Sequence, residues 1–291
     1  MARRVSENRS ALRRAHSCLK SWEGSDSSIS HRCLHNSFNA FQQSTGRLEA
    51  DALINISHQQ NFEADYASSH IPTSTFQKIA LFFGSSAVAL MDPSRGDMIA
   101  TLGETGGEGP IKYMQQKMLQ SGEGKQILME KPRINSGTVD LQKLRELPEG
   151  SLGRIYTDFL DKNKVGPDSR LMVQFIDDVE LAYVIQRYRE VHDLVHAILG
   201  MPTNMLGEVT VKWIEAIQNK LPMCVGGAVF GAIRLAPKQR KKYVQYYLPW
   251  AIKTGLTSEF LLNIYFEKRW EQQVSDLLNE VHITPLKIPK T

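Results

Sequence analysis

Three cysteines in 291 residues are too few for the disulfide framework on which small secreted folds rely. Long apolar runs are missing as well. The apolar stretch over residues 79–91 holds 13 uncharged residues, well short of the ~20 that a membrane-spanning helix needs. Charge of one sign is scarce: 35 Lys and Arg face 31 Asp and Glu, a net +4, which excludes a basic nucleic-acid-binding body. Period-2 alternation is nearly absent, which argues against a sheet. There is no Gly-x-Ser-x-Gly elbow, no Walker A loop and no dinucleotide fingerprint. The Gly-rich residues 103–109 lack a following Lys-Ser/Thr, so they form no phosphate cradle. What remains is 42% apolar residues, enough for the core of one large domain or two small ones.

The small net charge is unevenly placed. Residues 1–47 carry eight Lys or Arg, three acids and ten serines, leaving 27 basic and 28 acidic residues beyond them. Arg-rich, Ser-rich, acid-poor composition without an apolar h-region is the pattern of a mitochondrial presequence. A disordered basic tail on a cytosolic protein is the plainer alternative. Cleavage near residues 30–50 would remove Cys18 and leave Cys224, too little for a Cys-based zinc site. The expected organisation is a disordered presequence over 1–47, a linker over 48–72, a helical domain over 73–285 and a tail over 286–291.

Helical signals dominate the domain, so an all-α fold is expected. Thr73, Ser74 and Thr75 offer N-cap oxygens for a helix through Phe76, Ile79, Phe83, Val88 and Leu90. Residues 79–91 read as a buried core helix, with an apolar face against membrane or lipid as the other option. Residues 121–150 read as loop with a short helix near 141–147, and another helix is expected over 152–161. Leu181, Val184, Tyr188, Val191, Val195 and Ile198 recur at three- and four-residue steps, an apolar stripe of about five turns. Gly200 and Pro202 end it. Trp213, Ile214, Ile217 and Leu221 mark the next helix, and breaks are expected at Pro237, Pro249 and Gly255. Residues 225–233 are apolar and rich in Gly and Ala, suited to close packing or a slot for a slender ligand. Residues 238–242, Lys-Gln-Arg-Lys-Lys, are a solvated face or a contact for anionic lipid head groups.

Chemistry concentrates at the end of the long helix. The chain reads His192-Asp193-Leu194-Val195-His196, then eleven residues, then Glu208. At about 100° per residue the two imidazoles lie ~40° apart, one turn from each other, with Asp193 about 60° beyond His196. The turn at residues 201–204 lets Glu208 return from the next helix toward the same point. Two neutral imidazoles and two carboxylates cancel a divalent charge, a donor set that zinc accepts and that manganese or ferrous iron also tolerates. His pairs at this spacing recur by chance on helix surfaces. Beside an apolar stripe, however, such groups need partners or a cation. His58, His70 and His282 have no such company.

The spacing His-Asp-x-x-His-x₁₁-Glu, met by His192, Asp193, His196 and Glu208, resembles the signature of the Coq-four family of coenzyme Q (ubiquinone) biosynthesis proteins. The likeness runs over residues 72–285 and includes the block from Asp92 through Asp97 and Glu104 and the block from Phe266 to Glu271. Gly106 stands where the family commonly has Thr. The resemblance implies a helical mitochondrial protein, peripheral on the matrix face of the inner membrane, that binds zinc through this motif. It implies other proteins of the coenzyme Q synthesis complex as partners, with a homo-oligomer left open. It also implies C1-decarboxylation of a polyprenylated 4-hydroxy-3-methoxybenzoate-type lipid, with the tail along apolar helix faces such as residues 79–91. A redox-inactive zinc suits simple decarboxylation, whereas an oxidative version would call for iron or a partner flavoprotein. Asp193 or Glu208 would then move the proton. A non-catalytic lipid-binding organiser with a structural metal is the first alternative. A metal phosphohydrolase recruiting His70 is the second.

Overall fold

The computed structural model describes residues 62–289; the presequence expectation over 1–47 lies outside them. Among the described residues the regular elements are helices, with one isolated antiparallel bridge, Ser151 to Gln273. They begin with α1 (residues 62–69), α2 (Thr75–Met91), α3 (Gly96–Thr105), α4 (Glu108–Gln120) and α5 (Gly122–Glu130). Next come α6 (Leu141–Arg145), α7 (Leu152–Asn163), α8 (Val179–Leu199) and α9 (Met205–Asn219). The last are α10 (Pro222–Ile233), α11 (Pro237–Lys242), α12 (Leu248–Thr257) and α13 (Val274–Glu280).

The centre is α8. Its N-cap, Asp178, accepts from the backbone N–H of Glu180 and Leu181, and Gly200 closes it in the left-handed region at φ 63°, as a glycine C-cap does. Every residue from Leu181 to Leu199 is buried. The periodicity predicts the apolar stripe, but the rest of the helix surface is buried as well. It carries Arg187, Arg189, Glu190, His192 and Asp193, and each meets a partner from another segment. Arg187 pairs with Glu267 and donates to Ile264 O at 3.0 Å. Arg189 pairs with Glu104, and Glu190 receives Arg133 Nε at 2.7 Å. Buried charge is tolerable only when matched in this way. The two family-like blocks thus have a structural duty, since one supplies Glu104 and the other Glu267.

Four expectations need correction. The segment read as linker holds α1, whose Phe62 and Tyr66 are buried in the core. Residues 122–130 are helical rather than loop: Ser121 caps α5 from its side chain, and Gly124 sits where a Cβ would strike Met118 O and Asn263, so it permits a close approach. Pro249 and Gly255 lie inside α12 instead of breaking the chain. Proline is tolerated in a first turn, and a Cβ on Gly255 would sit 3.0 Å from Ile217 on α9. Finally, α2 is not a core helix. Only Ser85 of its 17 residues is buried, while Phe76 is 78% exposed and Met91 75%.

The corner between α8 and α9 aims the site. Asn204 caps α9 by accepting from Gly207 N at 3.1 Å, and a Cβ on Gly207 would fall inside the van der Waals shell of Pro202 O. Glycine is therefore required one residue before Glu208. Gly207→Ala should cost about 1–3 kcal/mol through overpacking, lowering the melting temperature by roughly 2–12 °C for a domain of this size. Calorimetry checks this, and an unchanged melting temperature would contradict it.

Candidate metal centre

His192 and His196, one turn apart on α8, face Glu208 in the first turn of α9. Their ring centroids are 4.7 Å apart. Each imidazole uses its Nδ1–H elsewhere. His192 Nδ1 donates to Glu215 Oε1 at 2.6 Å, and His196 Nδ1 donates to Met201 O at 3.1 Å. Both Nε2 atoms are thereby turned to Glu208 Oε2, at 3.7 Å from His192 and 3.5 Å from His196. His196 Nε2 is buried and has no hydrogen-bond partner. An unsatisfied buried nitrogen costs free energy unless something else uses its lone pair.

The three ligand atoms, one each from His192, His196 and Glu208, lie within 4.8 Å of one another. Bonds of about 2.0–2.2 Å around a tetrahedral ion put ligand atoms roughly 3.3–3.6 Å apart, close to the separations seen. A hydrogen-bonded Nδ1–H that fixes the tautomer is the usual support for a metal-binding imidazole. The donor set and its geometry therefore fit a divalent ion. Asp193, the fourth residue of the spacing, is not part of this trio. It is buried, but its Oδ1 accepts from Arg170 Nη2 at 2.5 Å. His70 is also elsewhere, with Nδ1 at 2.9 Å from Gln174 O and Nε2 at 3.5 Å from Asp177, which removes the ligand that the phosphohydrolase option needed.

Behind His192 lies a network that the spacing did not reveal. Glu215 Oε2 accepts from Lys212 Nζ at 2.7 Å and from Tyr188 Oη at 2.8 Å. The sequence held a signal for it: Glu208, Lys212 and Glu215 fall at i, i+4 and i+7, one face of α9. Burial opposes charge on Glu215, but His192 and Lys212 outweigh it and hold the carboxyl well below its usual range. Burial likewise opposes charge on His192 and Lys212, and Glu215 lifts both above their ordinary values. Glu208 is depressed too, because His192 and His196 overcome the cost of burying it. Burial pushes the Cys224 thiol up to about 12, so it stays protonated and is no nucleophile. Arg170 and Lys212 supply two positive charges against three from Asp193, Glu208 and Glu215; a proton on His192 or a bound cation would balance the third.

A cavity of about 810 Å³ lies between α2, α3, α8, α9 and α10. Of the trio, His192 and Glu208 line it, while His196 is fully buried; Phe82, Leu90 and Phe230 line apolar wall, and Gly226, Gly227 and Gly231 keep α10 slender beside it. The slot expected at residues 225–233 is thus one wall of the cavity. Residues 93–102, within the first family-like block, supply another part.

Known proteins are similar to this chain over most of its length. Residues 46–287 match the family described as coenzyme Q (ubiquinone) biosynthesis protein Coq4. The chain is 60% identical over 225 residues to the mitochondrial ubiquinone biosynthesis protein COQ4 homolog of Bombyx mori, covering 77% of this chain and 87% of that protein. It is 53% identical over 221 residues to the Bos taurus protein of the same name, covering 75% and 83%. A crystal structure of a Nostoc punctiforme protein assigned to ubiquinone biosynthesis superposes with a TM-score of 0.55 at 18% identity, covering 69% of this chain and 95% of that one. This last likeness concerns the fold.

Glu215→Gln would keep the shape of the network and leave the part-buried Lys212 without the carboxylate it is hydrogen-bonded to. Removing one partner of a buried pair typically costs about 3–5 kcal/mol. Urea unfolding of the variant should show a loss of that order, and a loss under ~1 kcal/mol would mean that the network carries little stability.

Proposed function

This chain belongs to the Coq4 family of coenzyme Q (ubiquinone) biosynthesis proteins, and we propose on that premise that it is a metal-dependent decarboxylase of a polyprenylated hydroxybenzoate. The observation that carries the metal half is His196 Nε2, buried, unpartnered and facing the Glu208 carboxylate. His192, His196 and Glu208 would hold the ion, with zinc the leading candidate and manganese or iron as alternatives, and Asp193 within one residue of the group. Bound there, the ion would supply Lewis-acid stabilisation of negative charge on the head group.

The reaction breaks the bond between ring C1 and the carboxyl carbon, releases CO₂ and adds a proton at C1. The para oxygen donates electron density to the ring and recovers it. In this chain the cavity walls would hold the aromatic head group beside His192 and Glu208, where a bound substrate would displace water and strengthen the charge interactions. Glu208, part exposed, is the group placed to relay to C1 the one proton that must be taken up from solvent as the carboxylate leaves as CO₂. The apolar lining at Leu90 and Phe230 suits a polyprenyl tail. A test is metal analysis and CO₂ release by the wild-type protein beside His192→Ala, with a polyprenylated 4-hydroxy-3-methoxybenzoate. The proposal expects the variant to lose bound metal and at least 100-fold in turnover. A wild-type protein that binds metal yet releases no CO₂, under several metals and oxygen levels, would leave a lipid-holding organiser of the synthesis complex.

The same reading extends to location. Among the described residues no helix is long and apolar enough to cross a membrane, and relatives bear mitochondrial names. Phe76, Ile79, Phe83, Leu90 and Met91 on α2 and Val229, Phe230 and Ile233 on α10 are exposed. Arg234 donates to Leu90 O, so the C-terminal ends of α2 and α10 meet. Exposed Lys238, Arg240, Lys241 and Lys242 follow directly. An apolar surface edged by cations suits an anionic lipid surface, here the matrix face of the mitochondrial inner membrane, where other enzymes of the pathway would assemble. Each cation near such a surface contributes about 1 kcal/mol. Replacing Lys238, Lys241 and Lys242 together by Gln should weaken binding to cardiolipin-containing vesicles roughly 100-fold in a flotation assay. Unchanged binding would mean that a different face meets the lipid.

A further inference from the structure

The cavity contains four cationic side chains, and they are not equally committed. Arg189 is spent on Glu104 and on Leu171 O at 3.2 Å. Lys212 is spent on Glu215 and Tyr188. Arg234 is at the rim and donates to Leu90 O. Arg170 differs. It follows the short 3₁₀ turn Pro167–Ser169, lines the cavity and is 37% exposed in its side chain. A single hydrogen bond engages it, from Nη2 to Asp193 Oδ1 at 2.5 Å. A guanidinium has five N–H donors in a planar fork, so four of them have no partner among the described residues.

A carboxylate binds such a fork through two parallel hydrogen bonds, which is stronger and more directional than a single contact. Asp193 cannot supply this arrangement from where it sits, since it reaches Arg170 through one oxygen and one nitrogen. An aryl carboxylate entering the cavity can. We infer that Arg170 is the residue that captures the carboxylate of the aromatic substrate, through the open edge of its guanidinium. This inference rests on the proposed reaction for the identity of the substrate, but not for the existence of the anion-binding edge.

One consequence follows from the geometry. Arg170 fixes the orientation of the substrate, because the cavity's apolar walls at Leu90 and Phe230 receive the tail. Capture through the open edge leaves the bond to Asp193 in place.

The experiment uses the full chain with metal removed by chelation, so that Arg170 is read apart from the reaction. Binding of geranylated 4-hydroxybenzoate in detergent micelles is compared with binding of its carboxamide, for the wild type, Arg170→Met and Arg170→Lys. The wild type should prefer the acid at least tenfold, Arg170→Met should bind both within twofold, and Arg170→Lys should fall between. Unchanged carboxamide binding by Arg170→Met shows that the cavity is intact. If that variant does not fold, Arg170→Lys decides, because it keeps the charge and loses the fork: wild-type discrimination there overturns the proposal. Equal binding of acid and amide by the wild type overturns it as well. Acid preference without CO₂ release by the metal-loaded protein would sink the decarboxylase and spare the anchor. Turnover with a KM unmoved by Arg170→Met would do the reverse.

Discussion

Two hydrogen bonds set the orientation of both imidazoles at the candidate site. Glu215 accepts a hydrogen bond from His192 Nδ1–H, and Met201 O accepts one from His196 Nδ1–H. A neutral imidazole has one donor and one acceptor, so fixing the donor side fixes the lone pair, and both lone pairs then converge on Glu208. Much of the molecule serves that convergence. The αL turn at Gly200 brings Met201 O back under His196, the Asn204 cap starts α9 in register, and Gly207 lets the chain pass Pro202 closely enough for Glu208 to arrive. Glu215 is itself restrained by Lys212 and Tyr188. An imidazole without such restraint would rotate, and a metal site loose by an ångström loses affinity.

Buried charge is the constraint shared by site and scaffold. α8 passes through the centre of the fold carrying arginines, glutamate, aspartate and histidine, and an isolated charge there would be prohibitively costly. The fold answers with one partner per charge, drawn from α3, from the segment before α5's successor helix, and from the 3₁₀ turn Phe266–Lys268. The polar groups around His192 are satisfied in the same manner, except at His196 Nε2 and at the open edge of Arg170. The first faces the Glu208 carboxylate and suits a cation, and the second lines the cavity and suits an anion.

How far the sequence could be read depended on whether a signal was local. The stripe from Leu181 to Ile198, the stop at Gly200 and the return of Glu208 are set by spacing along one stretch of chain, and all are visible in it. The pairing of Asp193 with Arg170 spans 23 residues and crosses irregular chain, so the spacing His-Asp-x-x-His grouped Asp193 with its neighbours when its partner lay elsewhere. Residues 122–130 are hidden by the low helix propensity of Gly122 and Gly124, although at Gly124 the missing side chain is what permits the close approach to Met118 and Asn263. On α2, composition announced an apolar helix but not what it would face. Its side chains have the makeup of a core, yet they lie on the outside, and a pattern of apolar residues does not distinguish protein from lipid. Glu215 was within reach, because its i+7 relation to Glu208 placed it on the same face of α9.

On this account the Nε2 atoms of His192 and His196, together with carboxylate oxygen, would hold a metal ion. X-ray absorption at the metal edge of the purified full-length protein reads that coordination directly. The expected spectrum has nitrogen and oxygen neighbours at about 2.0–2.2 Å with the outer-shell scattering of two imidazole rings, reduced to one ring in His196→Ala. Sulfur neighbours, or an all-oxygen shell without imidazole scattering, would contradict it.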